Sequence, residues 1–110
     1  FVTKDELEPY RTASKVGNQY DLEMKAFHNG KQVSSGTTKD MNWTFAQIIE
    51  RCSYGTFLYP GDVIGSGTVG SGCYYENNFI CEKQTWLYVG DTIELEVTGL
   101  GRLKNEIVTS

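Results

Sequence analysis

The sequence predicts a β-rich α+β domain in which several strands surround one helix. Three observations indicate this class: an alternating segment from Tyr20 to His28 that ends at the pair Asn29-Gly30, one helical apolar pattern at about residues 44–53, and a second alternating segment from Ile93 to Val97. Alternation with period two is typical of half-buried strands, whereas apolar residues at i, i+3, i+4 and i+7 indicate an amphipathic helix. With 110 residues, the chain is long enough for one small domain.

The first predicted element is a β-hairpin. Apolar residues alternate with charged ones after Tyr20, so that one face of the strand carries Leu22, Met24 and Ala26 and the other carries Asp21, Glu23 and Lys25. Asn-Gly is the strongest two-residue signal for a hairpin turn, because both positions favour a positive φ. We therefore expect the chain to turn at Asn29-Gly30 and to return along Lys31 to Ser34.

The predicted helix begins at Thr44. The Thr44 hydroxyl can cap the helix while the side chain of Gln47 reaches back to the first turn, which is the capping-box arrangement. An apolar stripe follows at helical spacing and consists of Phe45, Ile48, Ile49 and Cys52. The pattern predicts one amphipathic helix at about residues 44–53 with its stripe facing a core.

The second half of the chain contains the same turn pattern twice. Leu58-Tyr59-Pro60-Gly61-Asp62-Val63-Ile64 is repeated in outline as Leu87-Tyr88-Val89-Gly90-Asp91-Thr92-Ile93. Each copy predicts a Gly-Asp turn that leads into a strand. After the second copy, Gly99-Leu100-Gly101 predicts a further turn into a last strand at residues 103–108.

A loop with five glycines begins within the first copy at Gly61 and extends to Gly72. Such a density of glycine sacrifices packing, which indicates tight turns, positive φ angles or the close approach of a ligand to the backbone. Because its amides are unobstructed and serines and a threonine add hydroxyls, the loop is suited to hold an anion such as a carboxylate or phosphate. A glycine-rich connection without a ligand is the alternative interpretation.

Gly65-x-Gly67-x-x-Gly70 matches the dinucleotide-binding fingerprint, but the context argues against a nucleotide site. That fingerprint requires a helix that opens at the third glycine within a βαβ unit. Residues 71–78 are a poor helix start without an apolar period of 3.6, and no Gly-Lys-Ser/Thr sequence of a phosphate-binding loop occurs. We therefore predict no nucleotide site here.

Composition excludes several further classes of function. The formal net charge of −4 and the pI of about 4.9, without a lysine/arginine cluster, disfavour nucleic acid as a partner. No apolar run has the length of a membrane span, so no membrane association is expected. Three cysteines at positions 52, 73 and 81 are an odd number without metal-binding spacing, and a reduced, cytoplasmic setting fits them best.

A histidine, a cysteine and a pair of glutamates could take part in catalysis, but the sequence favours a structural role for each. His28, the only histidine, is expected to be an exposed hairpin residue, because no carboxylate partner is evident near it in the sequence. Cys73 is expected to be a small buried residue rather than a nucleophile. Glu94-Leu95-Glu96 places two carboxylates on one strand face, and a solvated face is the expected role.

Taken together, the motifs resemble the fumarylacetoacetate hydrolase family. The segments that resemble it occur in family order across most of the chain: Val2-Thr3-x-Asp5-Glu6-Leu7, Asp21-Leu22 with Asn29-Gly30, Gly36-x-Thr38-x-Asp40-Met41-x-Trp43-Thr44-Phe45, Pro60 to Gly70, and Gly90-Asp91 through Leu100-Gly101-x-Leu103-x-Asn105. Residues 10–20 fit least well and look like a lengthened loop. The resemblance implies a mixed β-sandwich roll.

The resemblance also implies an activity. Family members use a divalent metal, here expected to be Mg²⁺ or Mn²⁺, to act on 2-oxo acids or acylpyruvate-like and fumarylacetoacetate-like compounds as hydrolases, lyases or isomerases. In that role Gly67 and Thr68 would bind the carboxylate of a small-molecule substrate. Glu76 lies where some members carry a glutamate that orients a general-base histidine, although an exposed loop acid fits the sequence equally well.

The family's metal ligands, a Glu-x-Glu pair and a later Asp, belong to a segment that precedes all of these motifs. We therefore expect residues 1–110 to be the C-terminal part of such a catalytic domain, with no metal ligands of its own and no activity alone. Its expected partners are a second copy, as in a homodimer, or the missing N-terminal segment. The alternative is a non-catalytic, dimerising β-domain that has lost the metal site.

Overall fold

The computed structural model describes residues 1–14, 17–80 and 85–109. Its elements, in chain order, are a 3-10 helix at Lys4–Tyr10, β1 (Arg11–Thr12), β2 (Gln19–Tyr20), β3 (Glu23–His28), β4 (Lys31–Thr37), a 3-10 helix at Thr38–Asp40, α1 (Phe45–Cys52), α2 (Tyr74–Ile80), β5 (Thr92–Val97) and β6 (Gly101–Glu106). The β-rich α+β class predicted from the sequence is confirmed.

A four-stranded antiparallel sheet in the order β4-β3-β5-β6 forms the body of the molecule. The predicted hairpin is confirmed: β3 pairs with β4, and Asn29 and Gly30 both have positive φ, at 49° and 77°. The predicted last turn is also confirmed, with Leu100 N donating to Val97 O at 3.0 Å between β5 and β6. Chain neighbours therefore form two of the three strand pairs, and only β3–β5 joins distant segments.

The short strands β1 and β2 form a separate antiparallel pair in the region that the sequence predicted as a lengthened loop. The end of β2 and the residues after it carry the most buried apolar side chains of the described ranges, Tyr20 at 5% exposed and Leu22 at 3%. The buried Thr38 hydroxyl accepts from Leu22 N at 2.9 Å and donates to Tyr20 O at 2.6 Å. This side chain therefore fixes the second 3-10 helix to the chain that enters β3.

Helix α1 has the predicted start but not the predicted burial. Gln47 N donates to the Thr44 hydroxyl and Thr44 N donates to Gln47 Oε1 at 2.9 Å, which completes the capping box. None of the helix residues is buried, and Ile49 of the apolar stripe is 51% exposed. The prediction that the stripe faces a core was wrong for the residues that the structure describes, although Phe45 contacts the ring of Tyr20.

Helix α2 corrects a second expectation. Residues 71–78 were predicted to be a poor helix start, yet a seven-residue helix begins at Tyr74. It begins four residues after Gly70, the third glycine of the apparent fingerprint, and the four-stranded sheet is antiparallel throughout. The geometry of a dinucleotide site is therefore not present in the described part of the chain.

Much apolar surface is exposed. The accessible surface is 8518 Å², whereas a compact monomer of this mass would expose roughly 6,100 Å². Large apolar side chains of the segment between the two helices, such as Phe57, Tyr59 and Val63, are mostly exposed. Within the described ranges, no helix has the length and apolar character needed to cross a membrane.

Candidate functional site

Two of the sequence motifs meet at one cleft of about 360 Å³. One wall is the glycine-rich loop, and the other is the end of β4 with the 3-10 helix that comes after it. The residues that line the cleft are Met24, Ser35, Gly36, Thr37, Thr38, Asp40 and Met41 together with Ser66, Gly67, Thr68, Val69 and Gly70. The predicted substrate-binding pair, Gly67 and Thr68, therefore lies opposite the predicted Gly36-to-Met41 motif.

Side-chain hydrogen bonds hold the wall at the end of β4. The Thr37 hydroxyl donates to Asp21 Oδ1 at 2.7 Å and accepts from Lys39 N at 3.2 Å. Thr38 is buried against the chain that enters β3. Because Ser and Thr hydroxyls suit the N-terminus of a short helix, the Thr-Thr pair explains why the chain turns at this point and presents Asp40 and Met41 to the cleft.

The opposite wall offers neutral hydrogen-bond donors. Gly67 has φ of 98°, a conformation that side-chain-bearing residues rarely adopt. No described residue accepts a hydrogen bond from the amides of Gly67 and Thr68 or from the Thr68 hydroxyl. These three donors are thus unpaired among the described residues, and the anion-binding role of the loop stays a prediction.

The described lining contains one charged side chain, the carboxylate of Asp40. A carboxylate bound by neutral donors beside a second carboxylate is repelled by it, and a nearby positive charge would offset this repulsion. Within the described residues there is also no group of three or more histidine, cysteine, aspartate or glutamate side chains that could hold a metal ion. Any such charge would therefore come from beyond the described lining.

The comparison with protein families agrees with this arrangement of motifs. Residues 3–108 match the family model described as fumarylacetoacetate (FAA) hydrolase C-terminal. The chain belongs to the fumarylacetoacetate hydrolase family. The resemblance drawn from the sequence is confirmed.

Individual relatives agree with this assignment. The chain is 33% identical over 99 residues to a 2,4-didehydro-3-deoxy-L-rhamnonate hydrolase of Sphingomonas sp., covering 87% of this chain and 32% of the relative. It is 34% identical over 97 residues to the oxaloacetate tautomerase YisK of Bacillus subtilis, covering 86% and 30%. It thus spans about a third of the length of these relatives.

A solved fumarylacetoacetate hydrolase from psychrophilic Exiguobacterium antarcticum superposes with a TM-score of 0.67 at 31% identity. The match covers 82% of this chain and 31% of that structure. The fold is therefore of the fumarylacetoacetate hydrolase type that the resemblance implied, and the described residues form two α-helices where one was predicted.

Glu76, the proposed orienting acid of the family, lies in the first turn of α2 and is exposed. It does not line the cleft of Gly67 and Thr68, and its catalytic role stays a prediction. Cys73, which precedes α2, was expected to be buried and is exposed instead. Cys81 lies outside the described residues.

Sequence reasoning missed the environment of His28. Its Nδ1 lies 2.8 Å from the Tyr74 hydroxyl, and its Nε2 lies 2.9 Å from Asp91 Oδ2, close but poorly directed for a hydrogen bond. The side chain is only 12% exposed, so the prediction of an exposed hairpin residue without a carboxylate partner was wrong. The partners lie 46 and 63 residues away along the chain; the β3–β5 pairing brings Asp91 to His28, and Tyr74 is the first residue of α2.

The spatial arrangement of Tyr74, His28 and Asp91 in a row suggests a proton relay, but the electrostatics favour a structural role. Burial and then the negative charge of Asp91 raise the pKa of Tyr74, so the phenol remains protonated at neutral pH. We assign the His28 proton to Nε2, beside Asp91, which leaves Nδ1 to accept from Tyr74. His28 then links α2 to the start of β5.

Glu94 and Glu96 are ion-paired rather than freely solvated. Arg102 on β6 contacts both, with Nη1 at 2.9 Å from Glu94 Oε2, and Lys104 Nζ lies 3.4 Å from Glu94 Oε1. Glu94 is nearly buried, whereas Leu95 on the opposite face is 47% exposed. The expected solvated glutamate face is therefore corrected: cross-strand cations neutralise it, and the apolar face is the one left open.

Proposed function

We propose that this chain contributes the carboxylate-binding part of an enzyme that acts on small 2-oxo acids or acylpyruvate-like and fumarylacetoacetate-like compounds. The observation that carries the proposal is the cleft in which the free donors of Gly67 and Thr68 lie opposite the Gly36-to-Met41 motif. Hydrogen bonds from neutral donors to a charged acceptor are stronger than those between neutral groups. The site thus suits a carboxylate held in a fixed orientation.

The names of the relatives favour the same substrate class. By their names, the hydrolase acts on a didehydro-deoxy sugar acid and the tautomerase on oxaloacetate. Both compounds carry a carboxylate next to an oxo carbon. Hydrolytic C–C cleavage and the related lyase or isomerase reactions pass through an enolate at that carbon. For the full-length protein we therefore propose a reaction that passes through such an enolate.

We further propose that the full-length protein requires Mg²⁺ or Mn²⁺, since an enolate of a 2-oxo acid is stabilised by a Lewis acid held near its oxygens. The described residues do not form a set of ligands for such an ion. We therefore derive no step through a metal from this chain, and we propose that the ligands lie elsewhere in the full-length protein and that the isolated chain is inactive.

A second candidate is a non-catalytic β-domain that associates through its open surface. The accessible surface exceeds that of a compact monomer by about 2,400 Å², which favours association with a second copy or with another segment of the same protein. In that case the cleft would have no substrate. The two candidates differ in whether Thr68 affects turnover.

The test is Thr68→Val in the full-length protein with oxaloacetate as substrate. The change keeps the shape and removes the hydroxyl donor, which contributes about 1.5–3 kcal/mol to a charged partner, so KM should rise about 10- to 100-fold. If the contact also orients the oxo group, kcat should fall as well. The Tm should hardly change, because the hydroxyl supports no described contact.

Thr56→Val is the matched control, since Thr56 is an exposed loop threonine outside the cleft. Wild-type kcat/KM in the Thr68→Val protein would remove Thr68 from the site. Loss of folding in that variant would instead mean that the loop has a structural role. An active wild type with a Thr68-dependent KM rules out the non-catalytic candidate.

A further inference from the structure

The glycine loop rests on β4 at a position that has room only for glycine. A Cβ atom built on Gly36 would lie 2.7 Å from Val69 Cγ1, a separation that real side chains essentially never show. Gly36 lies near the end of the edge strand β4, and its pairing with Met24 on β3 fixes its backbone. Val69 is β-branched and stiff at χ1, so it cannot easily rotate away from such a contact. Val69 therefore occupies the space that a side chain on β4 would fill.

The chain after Val69 is fixed by further contacts. Gly72 N donates to Val69 O at 3.1 Å, and a Cβ on Gly72 would lie only 2.9 Å from the same oxygen. Ser71 between them has φ of 61°, an uncommon conformation for a residue with a side chain. Asn77 on α2, which is buried, donates from Nδ2 to Ser71 O at 2.8 Å. Asn77 thus stabilises the turn from a helix outside it.

These contacts lie directly beside the amides that the proposed function uses. Thr68 precedes Val69, and Gly67 precedes Thr68, so a shift of Val69 on the sheet displaces both donors. Other glycines of the same loop carry no such restriction: nothing lies within 4 Å of a Cβ built on Gly65 or Gly70. The restriction is thus specific to Gly36 and Gly72, where the loop meets the sheet and the turn.

We propose that Gly36, Val69 and Asn77 are positioning residues that hold the amides of Gly67 and Thr68 at the geometry needed to bind a carboxylate. Val69 in contact with Gly36 fixes the loop from the sheet side, and Asn77 fixes it from α2. The inference rests on the proposed function, because it assigns the residues that set the geometry of that same site.

The test is a double-mutant cycle at positions 36 and 69 in the full-length protein, with oxaloacetate as substrate. Gly36→Ala should raise KM by about 10- to 100-fold, since a displacement of the order of 1 Å in a positioning group has effects of this size. Val69→Ala should raise KM less, because it removes the contact without creating an overlap. The double variant should recover most of the affinity lost in Gly36→Ala, as two groups that contact each other are not additive.

Gly65→Ala is the matched control, because it adds the same methyl group to the same loop in open space and should keep the wild-type KM. Asn77→Leu, which keeps the size and loses the donor, should raise KM as Gly36→Ala does. Backbone amide chemical shifts of Gly67 and Thr68 provide a readout apart from activity. They should move in Gly36→Ala and return in the double variant.

The outcomes separate this inference from the proposed function. If Thr68→Val leaves kcat/KM unchanged, the proposed function fails whatever position 36 shows. If Thr68→Val raises KM while Gly36→Ala matches Gly65→Ala, or the double variant is no better than Gly36→Ala, the positioning role is overturned. If Gly36→Ala does not fold, the inference depends on Val69→Ala and Asn77→Leu, and wild-type KM in both would overturn it.

Discussion

The two Gly-Asp turns form the same local structure and lead to different outcomes. In the first, Asp62 N donates to Tyr59 O at 3.0 Å and Tyr59 N donates to Asp62 Oδ2 at 2.9 Å. In the second, Asp91 N donates to Tyr88 O at 3.0 Å and Tyr88 N donates to Asp91 Oδ2 at 2.8 Å. The preceding glycine has a positive φ in both, 102° and 91°. Tyr-x-Gly-Asp is thus sufficient to specify the turn.

The chain beyond each turn takes a different course. Residues 92–97 form β5 between β3 and β6, as predicted, whereas the residues between Asp62 and α2 form no strand and Val63 is 96% exposed. The strand predicted after the first turn was therefore wrong. The second turn is bound to the first hairpin: Asn29 Nδ2 donates to Asp91 Oδ1 at 2.8 Å, and Thr92 N donates to Asn29 Oδ1 at 2.8 Å. A strand requires a partner to satisfy its backbone groups, and only the second turn delivers its chain to one among the described residues.

The largest expected effect that tests this comparison comes from the two aspartates. Asp91→Ala removes the side-chain contacts to Tyr88 N, Asn29 and His28 together, while Asp62→Ala removes only the contact to Tyr59 N. We expect the fall in Tm for Asp91→Ala to be roughly three times that for Asp62→Ala, in proportion to the partners lost. Thermal melting followed by circular dichroism measures both. Equal falls would mean that the hairpin contacts add nothing to the second turn.

The two Gly-Asp turns can also be compared by how the stability of the fold depends on acid pH. The Asn29 side chain, the Tyr88 amide and His28 lower the pKa of Asp91 from 3.8 to about 2. A carboxylate whose pKa is lower in the folded than in the unfolded protein stabilises the fold above the unfolded pKa. This contribution is complete above pH 3.8 and is lost as the pH falls through about 2.

The prediction is that Asp91→Asn lowers stability at neutral pH and flattens its decline in this acid range. Chemical denaturation at a series of pH values measures the slope, with Asp62→Asn as the control that should keep the wild-type decline. An unchanged slope in Asp91→Asn would show that another group causes the acid sensitivity.

The same contrast shows which parts of the fold could be predicted from sequence. The capping box of Thr44, the turn at Asn29-Gly30 and both Gly-Asp turns involve residues within a few positions of each other, and all are confirmed. The contact of His28 with Asp91 depends on the β3–β5 pairing, which no local pattern specifies. The predicted burial of the α1 stripe was wrong for a related reason. Periodicity indicates that a helix face is apolar but not which part of the chain covers it.

In the candidate site, too, one part could be predicted from the sequence and the other required the structure. The loop was evident from its glycines, and the resemblance selected Gly67 and Thr68 within it. The opposite wall, with Gly36 in contact with Val69, required the fold, because a glycine in a strand pattern does not reveal which neighbour needs the space. A signal was nevertheless present: the Gly36-to-Met41 motif and the loop motif belonged to the same resemblance.

The smallest expected effect concerns the strand that the first turn does not form. Val63→Lys changes an almost fully exposed side chain, so the stability of this chain should change by no more than about 0.5 kcal/mol. The comparison variant is Ile93→Lys in the second copy, where the side chain is half-buried on β5 beside His28 and a buried charge costs more. Thermal melting should separate the two variants clearly.

The same variants also test the proposed association. If a second copy or another segment covers residues 63 and 64, Val63→Lys should weaken that association while leaving the Tm of the dissociated chain unchanged, because a charge opposes burial in an apolar interface. Size-exclusion chromatography with light scattering over a range of concentrations measures this. A Val63→Lys chain that melts as early as Ile93→Lys would mean that the first turn does lead into a paired strand, and the contrast between the two turns would be wrong. If wild type and Val63→Lys associate equally, the partner binds elsewhere on the chain. The segment after Asp62 would then be exposed because no other chain covers it.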